Sequence, residues 1–348
     1  MRIAAALILV VLVPAAYGNA PTPLFSSGET VKAVLTAPIG QAYKQKKQEQ
    51  RLYLEGSWSY KEGDETIRRP VKIRTRGHYR RANCTHPPLR LNFRKKEMAG
   101  TLFDGQDKLK MVNPCKNGDK YQQLVYVEYL IYKLYELYSD HHFRVRMVDV
   151  GYNDSDKSRK PWQTTNFLIQ DDKDMATSSG MVEVKTEATK RQEMNLAETA
   201  LVEVFQFMIG NVDYSTLRAR EGNCCHNVRL ISPENGEGGI IPVPYDFDSA
   251  GILDAPYATL PQQVPIKKIT QRYFYGWCKE ERRFRDAIDR IQSKRAEALA
   301  LIQDAPYLED YYRKKTFKYL EKSYEMLDDE KYVERRIIGQ CRGEVIKG

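Results

Sequence analysis

The 348-residue sequence predicts an α+β protein of two lobes, a smaller sheet-rich one followed by a larger, mainly helical one. Three observations carry that prediction. Short segments of alternating hydrophobicity crowd the first half, two long runs with helical periodicity interrupt and follow them, and residues 270–341 are helix-like, rich in Arg, Lys, Glu and Tyr. With 42% hydrophobic and 29% charged residues, the chain has material for one sizeable core or two modest ones, which excludes wholesale disorder.

The first twenty residues, MRIAAALILVVLVPAAYGNA, combine one Arg, an apolar run from Ile3 to Val13 and small residues before Ala20, the pattern of a removable signal peptide over 1–20. A Pro- and Ser-containing linker runs to about residue 30. Strands are expected at 51–60, 66–76, 88–93 and 108–112. In VKIRTRG, Val71, Ile73 and Thr75 face one side while Lys72, Arg74 and Arg76 face the other. YQQLVYVEYLIYKLYELY, 121–138, sets Leu124, Val127, Ile131, Leu134 and Tyr138 at helical spacing, with Glu128 on the edge of the stripe and its tyrosines read as packing residues. Two strands follow, at 144–152 and 164–170. These elements make 21–170 a strand-rich lobe with one long helix. The helical lobe, 171–348, opens with the amphipathic helix 195–209, which Gly210 stops, and carries a hairpin at 226–248 whose strands flank the turn residues PENGE. Asp304-Ala305-Pro306 breaks the last helical stretch.

Six cysteines suit disulfides in an exported protein, periplasmic or secreted, although the pairing stays open. Zinc is disfavoured because Cys224-Cys225-His226 lacks C-x-x-C spacing. The formal charge of +9 favours anionic partners. The basic clusters at 44–51, 68–81 and 90–96 lack the interleaved aromatics of a strand binder, so no specific nucleic-acid partner is expected, nor any stable membrane span.

The chemistry concentrates in IPVPYDFDSAG, 241–251, where Asp246 and Asp248 follow an apolar run. Alone, two such acids describe a hydrated strand end. The hairpin, however, sets Asn227 opposite Tyr245 and Asp246, and extended chain aims Asp246 and Asp248 to one side. Helix 195–209 delivers Asp213 in the connecting loop. Oxygen donors of this kind suit a hard cation, Mg²⁺ or Mn²⁺, with Asn227, Asp246 and Asp248 as metal candidates and Asp213 left to orient or deprotonate a hydroxyl. His226 reads as a hydrogen-bonded structural residue, and Lys72, Arg74 and Arg76 serve a surface ion network equally well.

The order N-x-D, then H-N with an apolar strand, then a hairpin and D-F-D resembles the catalytic segment of the CotH family of secreted, atypical kinase-like proteins. VKIRTRGHYRR (71–81), PLRLNF (88–93), KLKMVN (108–113) and NFLIQDD (166–172) are similar to further segments of that family, so the resemblance spans about 65–252. It implies a bilobal protein-kinase-like fold and transfer of the ATP γ-phosphoryl group, with Mg²⁺ or Mn²⁺, to a Ser or Thr hydroxyl of a protein. On it, Asp213 matches the catalytic Asp, and Asn227 and Asp246 match metal ligands. His86-Pro87-Pro88 stands where the family carries lysines. The cation over the nucleotide phosphates is therefore sought among Arg76, Arg90, Lys108 and Lys110, with Glu128 as a helix partner. Two other functions use the same residues: a catalytically inactive kinase-like binding module, and a metal-dependent phosphoester hydrolase working through Asp246 and Asp248.

Overall fold

The computed structural model describes residues 21–47, 49–219 and 224–347; the signal-peptide segment 1–20 lies outside them. In chain order the elements begin with β1 (Val31–Ala37), α1 (Ile39–Lys44), β2 (Leu54–Glu62), β3 (Glu65–Thr75), α2 (Tyr79–Asn83), β4 (Leu89–Phe93) and β5 (Lys108–Val112). The long helix α3 (Asp119–Tyr138) precedes β6 (Val145–Asp154), β7 (Trp162–Ile169), α4 (Asp172–Ser178) and β8 (Val182–Glu183). Next come α5 (Leu196–Met208), β9 (Val228–Ser232), β10 (Ile241–Pro244) and β11 (Trp277–Lys279). The chain ends with α6 (Glu281–Gln292), α7 (Arg295–Gln303), α8 (Asp310–Asp328), α9 (Glu330–Val333) and β12 (Arg342–Ile346).

The expected bilobal kinase-like fold is overturned here. Seven strands close on themselves in the order β1-β2-β3-β4-β5-β7-β6, a barrel instead of the small sheet of such a lobe. The closing strand is β1, which pairs antiparallel with β2 and parallel with β6. Its sequence VKAVLTA alternates: Val31, Ala33, Leu35 and Ala37 are buried, and the residues between them are not. Closure satisfies the backbone groups that an open sheet would leave bare at its edges.

The same alternation fills the barrel. Val71, Ile73, Leu89, Leu91, Leu109 and Met111 point inward, and Trp58, Tyr60, Phe93 and Phe103 meet there at ring separations of 4.8–6.3 Å. Strands β6 and β7 are buried on both faces. Val148, Val150 and Leu168 join the barrel core, whereas Met147, Phe167 and Ile169 face outward into a second core with α3, α5, the β9–β10 hairpin and the C-terminal helices. The two-sided burial is continuous over 145–148 of β6 and 166–169 of β7 and lapses toward their paired other ends, where polar residues enter.

The hairpin follows the expected register, with Pro244 opposite Val228 and the Tyr245 amide donating to the Asn227 carbonyl at 3.1 Å. The helix-like expectation for 270–341 needs trimming: 245–276 hold neither helix nor strand, and helix begins at Glu281. The break at Asp304-Ala305-Pro306 separates α7 from α8. All six cysteines are paired, Cys84 with Cys115, Cys224 with Cys225, and Cys278 with Cys341, which fits an oxidising compartment. Among the described residues no helix is long and apolar enough to cross a membrane.

If β1 closes a barrel, shortening its inward Leu35 is costly. Leu35→Ala is expected to lose about 2–5 kcal/mol in urea unfolding, while Val34→Ala on the outward side changes stability by less than about 0.5 kcal/mol. Equally small losses at both positions would count against β1 as the closing strand.

Candidate active site

Helix α5 ends where Gly210 takes a left-handed backbone, φ +67°, a position at which a Cβ would sit 2.2 Å from the Tyr319 hydroxyl. The chain then turns through Asn211, a buried residue whose side chain donates to Gln206 (2.9 Å) and accepts from the Asp213 amide (3.0 Å). Asp213 is thereby set at the mouth of the hairpin. Its Oδ1 lies 2.9 Å from His226 Nε2, and the Asn227 amide nitrogen donates to its carbonyl (2.7 Å) and to Oδ2 (3.2 Å). With the nitrogen so committed, the carbonyl oxygen is the Asn227 atom left to serve a cation.

Asn227 and Asp246 both have left-handed backbones, φ 52° and 61°, which is rare for residues bearing a Cβ. The extended run expected through Asp246 is thus broken at Asp246 itself. Its amide donates to the Tyr132 hydroxyl at 2.9 Å, so α3 holds the turn. Asp246 and Asp248 nevertheless line one cavity of about 490 Å³ together with Asp213, Asn227, His226 and Arg76.

The principal cation of this cavity is one the sequence reasoning missed. Arg80, in α2, is 6% exposed; it contacts Glu128 at 3.3 Å, donates to the Asn113 carbonyl at 2.6 Å and approaches Asp248 at 3.8 Å. Its Nε and Glu128 Oε1 are buried without a hydrogen-bond partner among the described residues. The only signal available was the doublet Arg80-Arg81 in GHYRR; helical phase alone decides that Arg80 turns inward, and Arg81 instead binds the Gly77 carbonyl at 2.9 Å.

Around Arg80 three acids, Glu128, Asp248 and Asp246, gather about one guanidinium. Burial, together with Asp246 and Asp213, pushes the Asp248 carboxyl up to about 7 against the pull of Arg80. Burial likewise lifts Glu128 to about 8, with Arg80 lowering it and Asp248 and Asp246 raising it. A divalent cation placed among these oxygens would relieve the repulsion. Among the described residues no three His, Cys, Asp or Glu side chains form a metal-binding group, so the cleft offers Asp246, Asp248 and an amide oxygen.

The remaining candidates separate. Arg76 lines the cavity; Arg90 and Lys108 lie outside its lining, Lys108 being paired with Asp107 at 3.3 Å. Lys110 is buried and tied to Asp172, which also accepts from Arg229 at 2.9 Å. Both cations lie over the Tyr245 ring, at 4.8 Å for Lys110 and 4.3 Å for Arg229, so Lys110 braces the cavity wall from behind. Glu128 serves Arg80. His86 is packed against Trp162 and Tyr43 and meets Asn117 at 2.7 Å, outside the cavity.

Burial alone would raise the Asp172 carboxyl, but Lys110 and Arg229 outweigh it and hold the group well below its ordinary value of 3.8. As pH falls, the unfolded chain therefore takes up this proton first. The stabilisation is complete above the ordinary value and is lost as acid is added. Urea unfolding from about pH 6 to about pH 3 is expected to show Asp172→Asn less stable than wild type by roughly 3–5 kcal/mol at the upper end, the gap beginning to narrow only as the pH falls below the ordinary carboxylate value.

Compared with protein-family models, with curated proteins and with solved structures, the chain matches none of them.

Proposed function

We propose that this exported protein transfers the terminal phosphoryl group of ATP to a Ser or Thr hydroxyl of a protein, with Mg²⁺ or Mn²⁺ in the cleft. The observation that carries the reading is the convergence of Asp213, Asn227, Asp246 and Asp248, drawn from two separate segments, on one cavity that also holds Arg76 and Arg80. Magnesium commonly takes one or two carboxylates from a protein and completes its shell with water and substrate phosphates, and a donor set of this size suits it. Asn227 and Asp246 would hold the ion, with Asp248 beside them. The ion supplies neutralisation of phosphate charge. The resemblance to the CotH family in the order of these residues agrees, and the reading leans on them and not on the fold.

The chain's own groups divide the remaining work. Asp213 has one carboxylate oxygen against His226 and the other against Asn227, so its position at the cavity wall is fixed. A fixed carboxylate at the cavity wall can orient an incoming hydroxyl and take its proton. Arg76 and Arg80 add positive charge around the site where a phosphoryl group gathers negative charge in transfer. Glu128, by pairing with Arg80, orients that guanidinium.

The hydrolase alternative asks Asp246 and Asp248 to act as equal metal ligands. Asp248 instead faces Arg80, which distinguishes the two acids. A binding module without catalysis could use the left-handed backbones of Asn227 and Asp246, since such strain clusters at ligand clamps as well as active sites, but it leaves the fixed carboxylate of Asp213 without a task.

Labelled ATP with Mg²⁺ or Mn²⁺ is expected to label a mixed protein acceptor, with Asp213→Asn lowering the rate roughly 10²–10⁴-fold. Asp246→Asn should abolish both the labelling and the metal-dependent thermal stabilisation by ATP. Absence of labelling and of that stabilisation in the wild-type protein would end the reading, and phosphate release from simple esters without nucleotide would favour the hydrolase.

A further inference from the structure

We infer that the outer barrel face at Arg74 and Arg90 docks an acidic peptide segment, the stretch of an acceptor protein beside its reactive hydroxyl; this rests on the phosphotransferase reading above. The pairing of β3, β4 and β5 sets Arg74 directly opposite Arg90, and Arg90 directly opposite Lys110. Like charges facing each other across strands destabilise a sheet, so a cationic row of this kind calls for a compensating anion. The flanks of the row have theirs: Lys72 pairs with Glu55 at 2.8 Å, Lys108 with Asp107 at 3.3 Å, and Lys110 with Asp172.

The middle of the row does not. Among the described residues neither Arg74 nor Arg90 forms an ion pair with a carboxylate, and both are half-buried. Arg74 lies over the Tyr53 ring at 4.6 Å, which fixes its guanidinium plane without neutralising it. The acid acting on Arg90 is Asp171, which is occupied as the cap of α4, accepting from the Lys173 amide at 3.1 Å. Arg51 feels the charges of both Arg74 and Arg81, and Arg51 and Arg81 each have partners of their own, which leaves the pair Arg74 and Arg90.

The position of this row selects its partner. Arg76, two residues after Arg74 on the same outward face, lines the cavity with Asp213. An extended acceptor running across this face presents its carboxylates to Arg74 of β3 and its cross-strand neighbour Arg90 of β4 while its hydroxyl reaches Asp213. Guanidinium groups favour the bidentate grip a carboxylate offers. The uncompensated strip is a pair of arginines between neutralised lysines, narrower than the broad basic surface that a bilayer or a nucleic-acid backbone requires.

The test is fluorescence anisotropy of the intact protein with three labelled serine peptides of equal length, flanked by Glu, Gln or Lys. The Glu peptide is expected to bind at least about tenfold tighter than the Gln peptide, and the double variant Arg74→Gln/Arg90→Gln to lose about tenfold, as removal of charge-assisted contacts does. Arg74→Lys/Arg90→Lys should retain part of the binding. Thermal stabilisation by ATP with Mg²⁺ should be unchanged in both variants. Should the double variant not fold, Arg90→Gln alone should still weaken the Glu peptide selectively. Binding is read without turnover, so failure of phosphoryl transfer leaves this result intact. Where transfer occurs, the double variant should raise KM for the Glu peptide at unchanged kcat. Equal binding of Glu and Gln peptides, or full retention by the double variant, overturns the inference. So does tighter binding of phosphatidylserine vesicles or of a single-stranded oligonucleotide that the same variant abolishes.

Discussion

The architecture turns on one buried guanidinium. Arg80 leaves a short helix at the end of the barrel strand β3 and ties together the Asn113 carbonyl, Glu128 of α3 and, at longer range, Asp248 after the hairpin. Such an arrangement is a poor source of net stability, because taking both charges from water offsets most of their attraction. It is a strong constraint on geometry, since displacing either partner strands a charge in a dry site. The barrel, the long helix and the acidic loop are thereby held in one relation, and the cavity takes its shape from that relation.

Helix α3 transmits the constraint. Glu128 and Tyr132 stand one turn apart on the same face, the first holding Arg80 and the second accepting from the Asp246 amide. Its other residues fill the second core, where Phe167 of β7 and Phe247 pack against Tyr132 at ring separations of 5.6 and 4.8 Å. Phe247 is fully buried between the two acids, so packing of the aromatic between them fixes Asp246 and Asp248 at the cavity. The disulfide between Cys84 and Cys115 joins the end of α2 to the loop that leads into α3, closing the same circuit covalently.

What the sequence disclosed follows from which forces are local. Strand alternation in VKIRTRG, the α5 pattern ending at Gly210 and the hairpin around PENGE are local, and each places its residues as expected. Barrel closure is not. The β1 pattern VKAVLTA was open to inspection, yet whether such a strand pairs with β2 alone or also with β6, more than a hundred residues away, depends on curvature that no local pattern encodes. Ion pairing failed for the same reason. Lys110 has the composition of a phosphate ligand, but Asp172, sixty-two positions later, consumes it. Arg80, indistinguishable by type from Arg81, is the cation that reaches the acids. Asn211, which organises the loop of Asp213, gave no signal beyond being an Asn after a helix stop.

A net charge of +9 describes this molecule poorly, because the uncompensated charges are sorted and not averaged. The cleft lining gathers Asp213, Asp246 and Asp248 with Arg76, Arg80 and Arg229, while just outside, on the barrel face, Arg74 and Arg90 face each other without an ion-paired carboxylate among the described residues. Lys110 and Arg229 share the one carboxylate of Asp172, so this link between the cleft and the barrel face is itself one cation in excess. A folded chain tolerates separated like-charge clusters only where their cost is small beside the cores that hold them in place, and here two hydrophobic cores flank the site. On the proposed reading the arrangement receives a pair of guests of opposite sign, a small cation within the cleft and an anionic chain across its entrance. On that reading the cation lies where the hairpin end and the Asp213 loop gather oxygen donors, and the anionic chain lies over the strands, where the arginines are.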